Sequence, residues 1–304
     1  MDVDAADNHI SPWHPGEVTM QASIGVAERM DAIGRRVVRD YLIDQHRAFF
    51  TQLPFIVAGA VDKANDAWAT LFAARPGFLQ SPDPSTLTIE TQRKPNDPAD
   101  GGMENGDAIG LLGIELDTRR RNRLNGIVHR TSAARFAVSV EQSFGNCPRY
   151  IQSREFSFVR DPSEPHAGAV DTSTELDEPA RAMIRTADTF FVASYADRED
   201  GHRQVDVSHR GGTPGFVRVT DDGRLTIPDF AGNLFFMTMG NILLNGKAGL
   251  VFVDFTNGDL LQMTGDAEVV LDSPEIAAFQ NAERLWTFRP RMIVRRSAVL
   301  QNGG

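Results

Sequence analysis

The segment Asp206-Val-Ser-His-Arg-Gly-Gly-Thr-Pro-Gly-Phe216 gathers the residue types that an anion site needs. Ser208 offers a hydroxyl, and Arg210 offers a planar fork that matches a phosphate. Gly211 and Gly212 allow a close backbone approach, and their amides can form an anion nest. The plainer reading is a tight β-turn with a surface arginine. A second basic stretch, Thr118-Arg-Arg-Arg-Asn-Arg123, reads first as a solvated hairpin or strand edge, where arginine discourages edge pairing, and second as an anion site. The single cysteine sits in Asn146-Cys147-Pro148. It is either a small hydrophobe packed beside a turn or a redox thiol, the first being the simpler.

Other chemistries lose their signals. The sequence has no GxGxxG, GxxxxGK, HExxH, CxxC or GxSxG, and its seven histidines are scattered without ligand spacing, so no metal site is expected. Lys and Arg number 31 against 41 Asp and Glu, a net charge of −10 that opposes nucleic acid and anionic membranes. One cysteine permits no intrachain disulfide and suits a reducing compartment. The acidic start, Met1-Asp-Val-Asp-Ala-Ala-Asp7, is followed by no apolar run, and the longest apolar stretches, such as 55–61, are strand-length. A cytoplasmic chain is expected.

Spacing organises the elements that must hold these residues. Pro76-Gly77-Phe78 precedes Leu87-Thr88-Ile89, and Pro214-Gly215-Phe216 precedes Leu225-Thr226-Ile227, each over 11 residues. Gly110 leads to Gly126 and Gly249 to Gly265, each over 16 residues. An offset of 138 to 139 residues across the central strands predicts two copies of one domain. At the place of Gly211 and Gly212 the first copy has Ala73-Ala-Arg-Pro-Gly-Phe78, so the fold alone does not demand the glycine pair.

Helices are expected over 44–53 and 177–185, the latter capped by Asp177 with Pro179 in its first turn, and an amphipathic one over 28–39. Short apolar runs at 135–140, 215–219, 248–255 and 292–296 alternate with Gly, Asn and Asp turns, which predicts an antiparallel sandwich or barrel. The expected boundaries are an N-terminal extension over 1–40, a first domain over 41–160, an exposed linker over 161–175 and a second domain over 176–304.

Asp206-Val-Ser-His-Arg-Gly-Gly-Thr-Pro-Gly-Phe-Val217, Leu225-Thr-Ile-Pro-Asp-Phe-Ala-Gly-Asn233, Gly240-Asn-Ile-Leu-Leu-Asn245 and Ala248-Gly-Leu-Val-Phe252 together resemble the pyridoxamine 5'-phosphate oxidase-like family of FMN-binding split β-barrels. Phe144-Gly-Asn-Cys-Pro-Arg-Tyr-Ile-Gln152 and Ala282-Glu-Arg-Leu-Trp286 point to a tandem-domain branch, also found fused ahead of FAD and iron–sulfur reductase modules. The resemblance implies a mainly β fold of two tandem FMN-binding split β-barrel domains, the first structural and the second carrying the phosphate motif. FMN would lie between barrels, usually at a dimer interface.

By position, the resemblance sets Ser208, His209, Arg210 and Gly211 near the isoalloxazine and phosphate, with Gly212 beside them. Gly232, Asn233, Thr238 and Asn241 follow on the next strand and helix start. Trp286 and Arg289 fall near the last strand, where relatives line the flavin pocket and where ordinary packing is the other reading. Many relatives carry Arg or Lys just after the Gly-Asn pair, whereas this chain has Leu234-Phe235-Phe236. A phosphate would therefore depend on Arg210, Lys247 or arginines of the other barrel.

The implied function is an FMN-dependent oxidoreductase or flavin reductase acting on a small molecule, as a homodimer, with NAD(P)H or a reductase partner as electron source. FMN would carry the hydride or electron transfer, so no catalytic residue is assigned. The alternative is a non-catalytic flavin- or small-ligand-binding or redox-partner module.

Overall fold

Residues 55–61 form an unbroken apolar run because the strand they build is covered on both faces. The computed structural model describes residues 11–155, 168–198 and 200–297. In it this strand, β1 (Phe55–Val61), is buried along its whole length. It belongs to an antiparallel sheet with β2 (Ala67–Ala73), β3 (Leu79–Gln80), β4 (Thr86–Glu90), β5 (Ala108–Ile114), β6 (Arg121–Ser132) and β7 (Arg135–Gly145), in the order β2-β1-β5-β6-β7-β4-β3. The second sheet uses β9 (Thr189–Asp197), β10 (Arg203–Gly211), β11 (Arg218–Val219), β12 (Leu225–Phe230), β13 (Lys247–Val253), β14 (Leu260–Val270) and β15 (Ala282–Arg296). Its order is β10-β9-β13-β14-β15-β12-β11, which repeats the first strand for strand.

The registers coincide as well. Gly59 opposite Gly110 matches Ala193 opposite Gly249. Gly110 opposite Asn125 matches Gly249 opposite Thr264. Gly59 opposite Ala69 matches Ala193 opposite Val207. Counting along these strands pairs Thr70 with Ser208, Phe72 with Arg210, Leu260 with Arg121 and Gln262 with Arg123.

Each sheet encloses a core of its own, with Leu111, Leu124 and Phe136 in one and Phe190, Met263 and Trp286 in the other. A third cluster, including Val57, Leu71, Leu112, Phe191, Val207 and Val251, joins the two sheets through their outer faces. A Cβ on Gly110 would lie 2.6 Å from the Val205 carbonyl oxygen, and one on Gly249 would lie 2.2 Å from that of Ala67. The contact is reciprocal, as it is between the subunits of a two-fold dimer.

Three helices precede β1: α1 (Pro15–Ser23), α2 (Ala27–Val37) and α3 (Asp44–Thr51). A capping box between His14 and Glu17 starts α1. Asp177 caps α4 (Glu178–Thr186), with Pro179 in the first turn, as the sequence predicts. The backbone of Gly16 in α1 packs against that of Gly240 in α5 (Met237–Asn245). Part of the expected linker is instead a strand, β8 (Val170–Ser173), which pairs with β15 because that long strand offers it a free ladder. Residues 1–10 of the extension, 161–167 of the linker and 298–304 of the second domain lie outside the described residues. No helix among the described residues is long and apolar enough to cross a membrane.

Candidate functional site

A cleft of about 120 Å³ opens where β10, an edge strand of the second sheet, meets β6 of the first. Strand alternation builds the β6 side. Leu124 points into the first core, while Arg123 and Asn125 point the other way, toward β10. Arg123 Nη1 donates to Asp206 Oδ1 at 3.0 Å, and Nη2 donates to Ser208 Oγ. Thr238 Oγ1 also donates to Ser208 Oγ, at 3.1 Å. Asn125 Nδ2 at 2.6 Å, Asn241 Nδ2 at 2.9 Å and Gln204 Nε2 at 3.4 Å also donate to the Asp206 carboxylate.

Arg121 fixes the state of His209. Its Nε donates to the Cys147 carbonyl at 2.8 Å and its Nη1 donates to His209 Nδ1 at 3.2 Å. A guanidinium only donates, so Nδ1 is the bare nitrogen and the ring proton sits on Nε2. That Nε2 is buried and meets no acceptor. Burial first, then the charges of Arg121, Arg210 and Arg154, hold the ring well below its ordinary range, so it is neutral. Burial, aided by Arg210 and Arg123, pushes Arg121 down to about 10. Burial also lowers Arg210 and raises Asp229.

The lining holds Arg121, Arg123, Arg149, Arg210 and Arg284 against only Asp229 and Glu283. Arg284 lies 3.6 Å from Asp229 and also pairs with Glu283, and Arg123 is taken by Asp206. Among the described residues Arg121, Arg149 and Arg210 have no carboxylate at ion-pair distance, although Asp229 acts on Arg210 from farther off. The first residues of α5, Met237 and Thr238, line the same cleft and add the positive end of a helix dipole. Crowded, desolvated cations and an unused N–H donor make a place for an anion.

A strap from the first half closes the cleft. Tyr150 Oη donates to the Ala231 carbonyl at 3.0 Å, its ring stacks on Phe230 at 5.3 Å, and Gln152 Nε2 donates to the Gly212 carbonyl at 3.2 Å. This strap accounts for the glycine pair. A Cβ on Gly211 would lie 2.0 Å from the Tyr150 carbonyl oxygen, and one on Gly212 would lie 2.6 Å from the Phe216 ring. Neither glycine has a positive φ, and the Gly212 amide donates to the Asp188 carbonyl at 3.0 Å. The amide nest is therefore absent, and the glycines admit the strap and a packed ring.

Of the residues singled out in the sequence, Ser208, His209, Arg210, Gly211, Gly232, Asn233 and Thr238 line the cleft. Asn241 sits one turn deeper, bound to Ser194 and Asp206. Gly212, against the Phe216 ring, is outside the lining, and three others lie elsewhere. Lys247 Nζ donates to the Asn65 carbonyl at 2.8 Å, Trp286 is sealed in the second core, and Arg289 pairs with Asp222 at the surface. The basic run divides: Arg120 is exposed in the hairpin, whereas Arg121 and Arg123 turn inward, so the hairpin reading fails for those two. Their i, i+2 spacing was the available signal. Asp229, Arg284 and Arg149 were missed. Leu234 and Phe236, also in the lining, hold φ of 65° and 62°, which bulky side chains rarely adopt.

The equivalent place in the other half is filled. Thr70 Oγ1 donates to Asp97, which also accepts from Gln262 Nε2 at 3.0 Å and from Arg296 Nη1 at 2.5 Å. All four side chains are buried. Phe72 and Leu260 stand where the cleft has Arg210 and Arg121.

No family model matches the sequence. No curated protein matches it either. Among solved structures, the chain is similar to HupZ of Group A Streptococcus, at 16% identity and a TM-score of 0.30 over 42% of this chain and 99% of that one. It is similar to a FAD-binding protein of Mesorhizobium loti, at 13% identity and a TM-score of 0.29 over 41% and 96%. It is also similar to the heme storage protein HutZ of Vibrio cholerae, at 13% identity and a TM-score of 0.28 over 40% and 95%.

Proposed function

We propose that the chain binds FMN between two copies of one split-barrel domain and works as an FMN-dependent oxidoreductase on a small molecule. The observation that carries this reading is the pair of cleft cations with no carboxylate at ion-pair distance, Arg121 and Arg210, beside the unused N–H of His209. This donor set suits a phosphate group, which takes several charge-assisted hydrogen bonds at once. Arg121, Arg210 and His209 would hold that phosphate. Asp206 keeps the Arg123 guanidinium in place, and Arg123 with Thr238 fixes the Ser208 hydroxyl. Tyr150 and the strap shield the site from water. When bound, FMN supplies hydride or single-electron transfer, and NAD(P)H or a reductase partner would deliver the electrons.

One observation favours a second reading, a non-catalytic module for a smaller anion. The cleft, about 120 Å³, is below the roughly 300–1,000 Å³ of most small-molecule pockets. Titration of the purified chain with FMN separates the two. Quenching of flavin fluorescence on addition of protein supports the flavin reading, and bleaching of the bound flavin by NADH or NADPH supports the enzyme. A chain that leaves FMN fluorescence unchanged refutes both flavin claims.

A further inference from the structure

We propose that Cys147 is a modification site for an anionic low-molecular-weight disulfide of the glutathione class, and that the mixed disulfide shuts the cleft. The proposal rests on the anion-binding reading of the cleft, not on the identity of the anion as FMN.

Cys147 is partly exposed and lines the cleft from the strap. Arg121, Arg149 and Arg210 share that lining with no carboxylate at ion-pair distance, and Arg121 Nε is tied to the carbonyl of Cys147 itself at 2.8 Å. Of the opposing charges, Glu283 pairs with Arg284, and Asp229 is shared between Arg284 at 3.6 Å and the charge of Arg210. An independent sign that an anion belongs here is His209, which lines the cleft, is 4% exposed and carries a buried Nε2–H without a partner. A cationic cleft with low-dielectric walls concentrates anionic reagents. A disulfide that carries carboxylates is thus drawn to this thiol, and a neutral one is not.

The chemistry is thiol–disulfide exchange. The Cys147 thiol releases its proton to water, and its sulfur attacks one sulfur of the incoming disulfide. That S–S bond breaks, a new one forms to Cys147, and one thiolate leaves and takes up a proton. Cys147 is oxidised and one half of the reagent is reduced. The chain has a single cysteine, so no second thiol within it can resolve the adduct, which lasts until an external thiol reduces it. A glutathionyl group would fill a cleft of about 120 Å³, so adduct and anionic ligand exclude each other.

The test uses the full chain with two chromogenic disulfides, anionic dithionitrobenzoate and neutral dithiodipyridine, each referenced to its rate with a free cysteine derivative. The anionic reagent should gain about tenfold or more over that reference. The gain should shrink with added salt, and inorganic phosphate should slow the reaction. Glutathione disulfide should add one glutathionyl mass, absent in Cys147→Ser. A rate ratio equal to that of the free thiol, or no effect of phosphate, overturns the proposal. If phosphate protects the thiol while FMN fails to bind, the flavin reading falls and this one stands. If FMN binds the glutathionylated chain as well as the reduced one, this one falls and the flavin reading stands.

Discussion

Arg123 and Asp206 meet across the two sheets, guanidinium to carboxylate at 3.0 Å, with side chains 5% and 0% exposed. A buried pair of this kind contributes less by its own attraction than its loss costs, since removing one partner leaves the other charge uncompensated. Asp206→Leu should therefore destabilise the chain by about 3–5 kcal/mol in urea unfolding. Arg123→Met combined with Asp206→Leu should cost less than the sum of the single changes. A strictly additive pair would show that the two residues do not act as a unit.

Arg210→Ala should weaken FMN binding far more than Arg75→Ala, an exposed arginine of the first half three residues beyond Phe72, the register counterpart of Arg210. A charge-assisted hydrogen bond is worth about 1.5–3 kcal/mol, roughly ten- to a hundredfold in the dissociation constant. Arg121→Gln should fall in the same range and should also free Nδ1 of His209. Fluorescence titration reads both. Equal effects of the Arg210 and Arg75 changes would move the site out of this cleft.

The shared strand order of the two sheets left a trace in the sequence because two contacts in each half tolerate only glycine. Gly110 and Gly249 approach the opposite sheet, while Gly126 and Gly265 sit at β-bulges where a Cβ would strike the Ser139 and Arg289 carbonyls. The β10 side of the site was legible too, since Ser208, His209 and Arg210 are contiguous. The β6 side was not, because Arg121 and Arg123 belong to a hairpin that reads as solvated until the second sheet is set against it. Lys247 and Arg289 misled for the converse reason: charge type says nothing of which carboxylate lies nearby, and Asp66 and Asp222 already hold them. The glycine pair misled because a tight strap and an anion nest demand the same residue.

Glu17 should give the fold a pH dependence of definite sign. Burial first, then the charge of Asp206, raises its carboxyl well above the ordinary range, while the His14 amide, Arg123 and Arg198 oppose this. A group with a raised folded pKa stabilises fully below its unfolded value and loses that contribution as pH rises through the folded one. Glu17→Gln keeps the acceptor for the His14 amide and removes the titration. It should be more stable than the parent near about pH 8, with the margin closing toward the ordinary Glu range. His14, lowered from 6.5 to about 4 mainly by burial, acts the other way, costing stability as pH falls through that window. Because His14 Nε2 lies 3.5 Å from Glu17, the comparison is made on a His14→Asn background, which removes that second titration. Thermal unfolding across this range is the measurement, and a flat margin would mean that Glu17 is ionised in the fold.

Asp97 and Arg296 predict the stoichiometry. A chain whose two halves face each other reciprocally has two equivalent places for a ligand, as a two-fold dimer does. Only one is open. At the other, Gln262 replaces Arg123, Leu260 replaces Arg121 and Phe72 replaces Arg210, so the cations that would attract an anion are gone. The Asp97 carboxylate occupies the centre instead, neutralised by Arg296 and hydrogen-bonded by Thr70 and Gln262. An incoming phosphate would have to displace a buried, fully paired carboxylate of its own charge sign, which costs several kcal/mol before any new contact forms. Equilibrium dialysis should therefore find one FMN per chain. Asp97→Asn should lower stability while leaving the binding curve at the open cleft in place. A stoichiometry of two, or loss of FMN binding in Asp97→Asn without loss of fold, would put the ligand on the Asp97 side of the molecule.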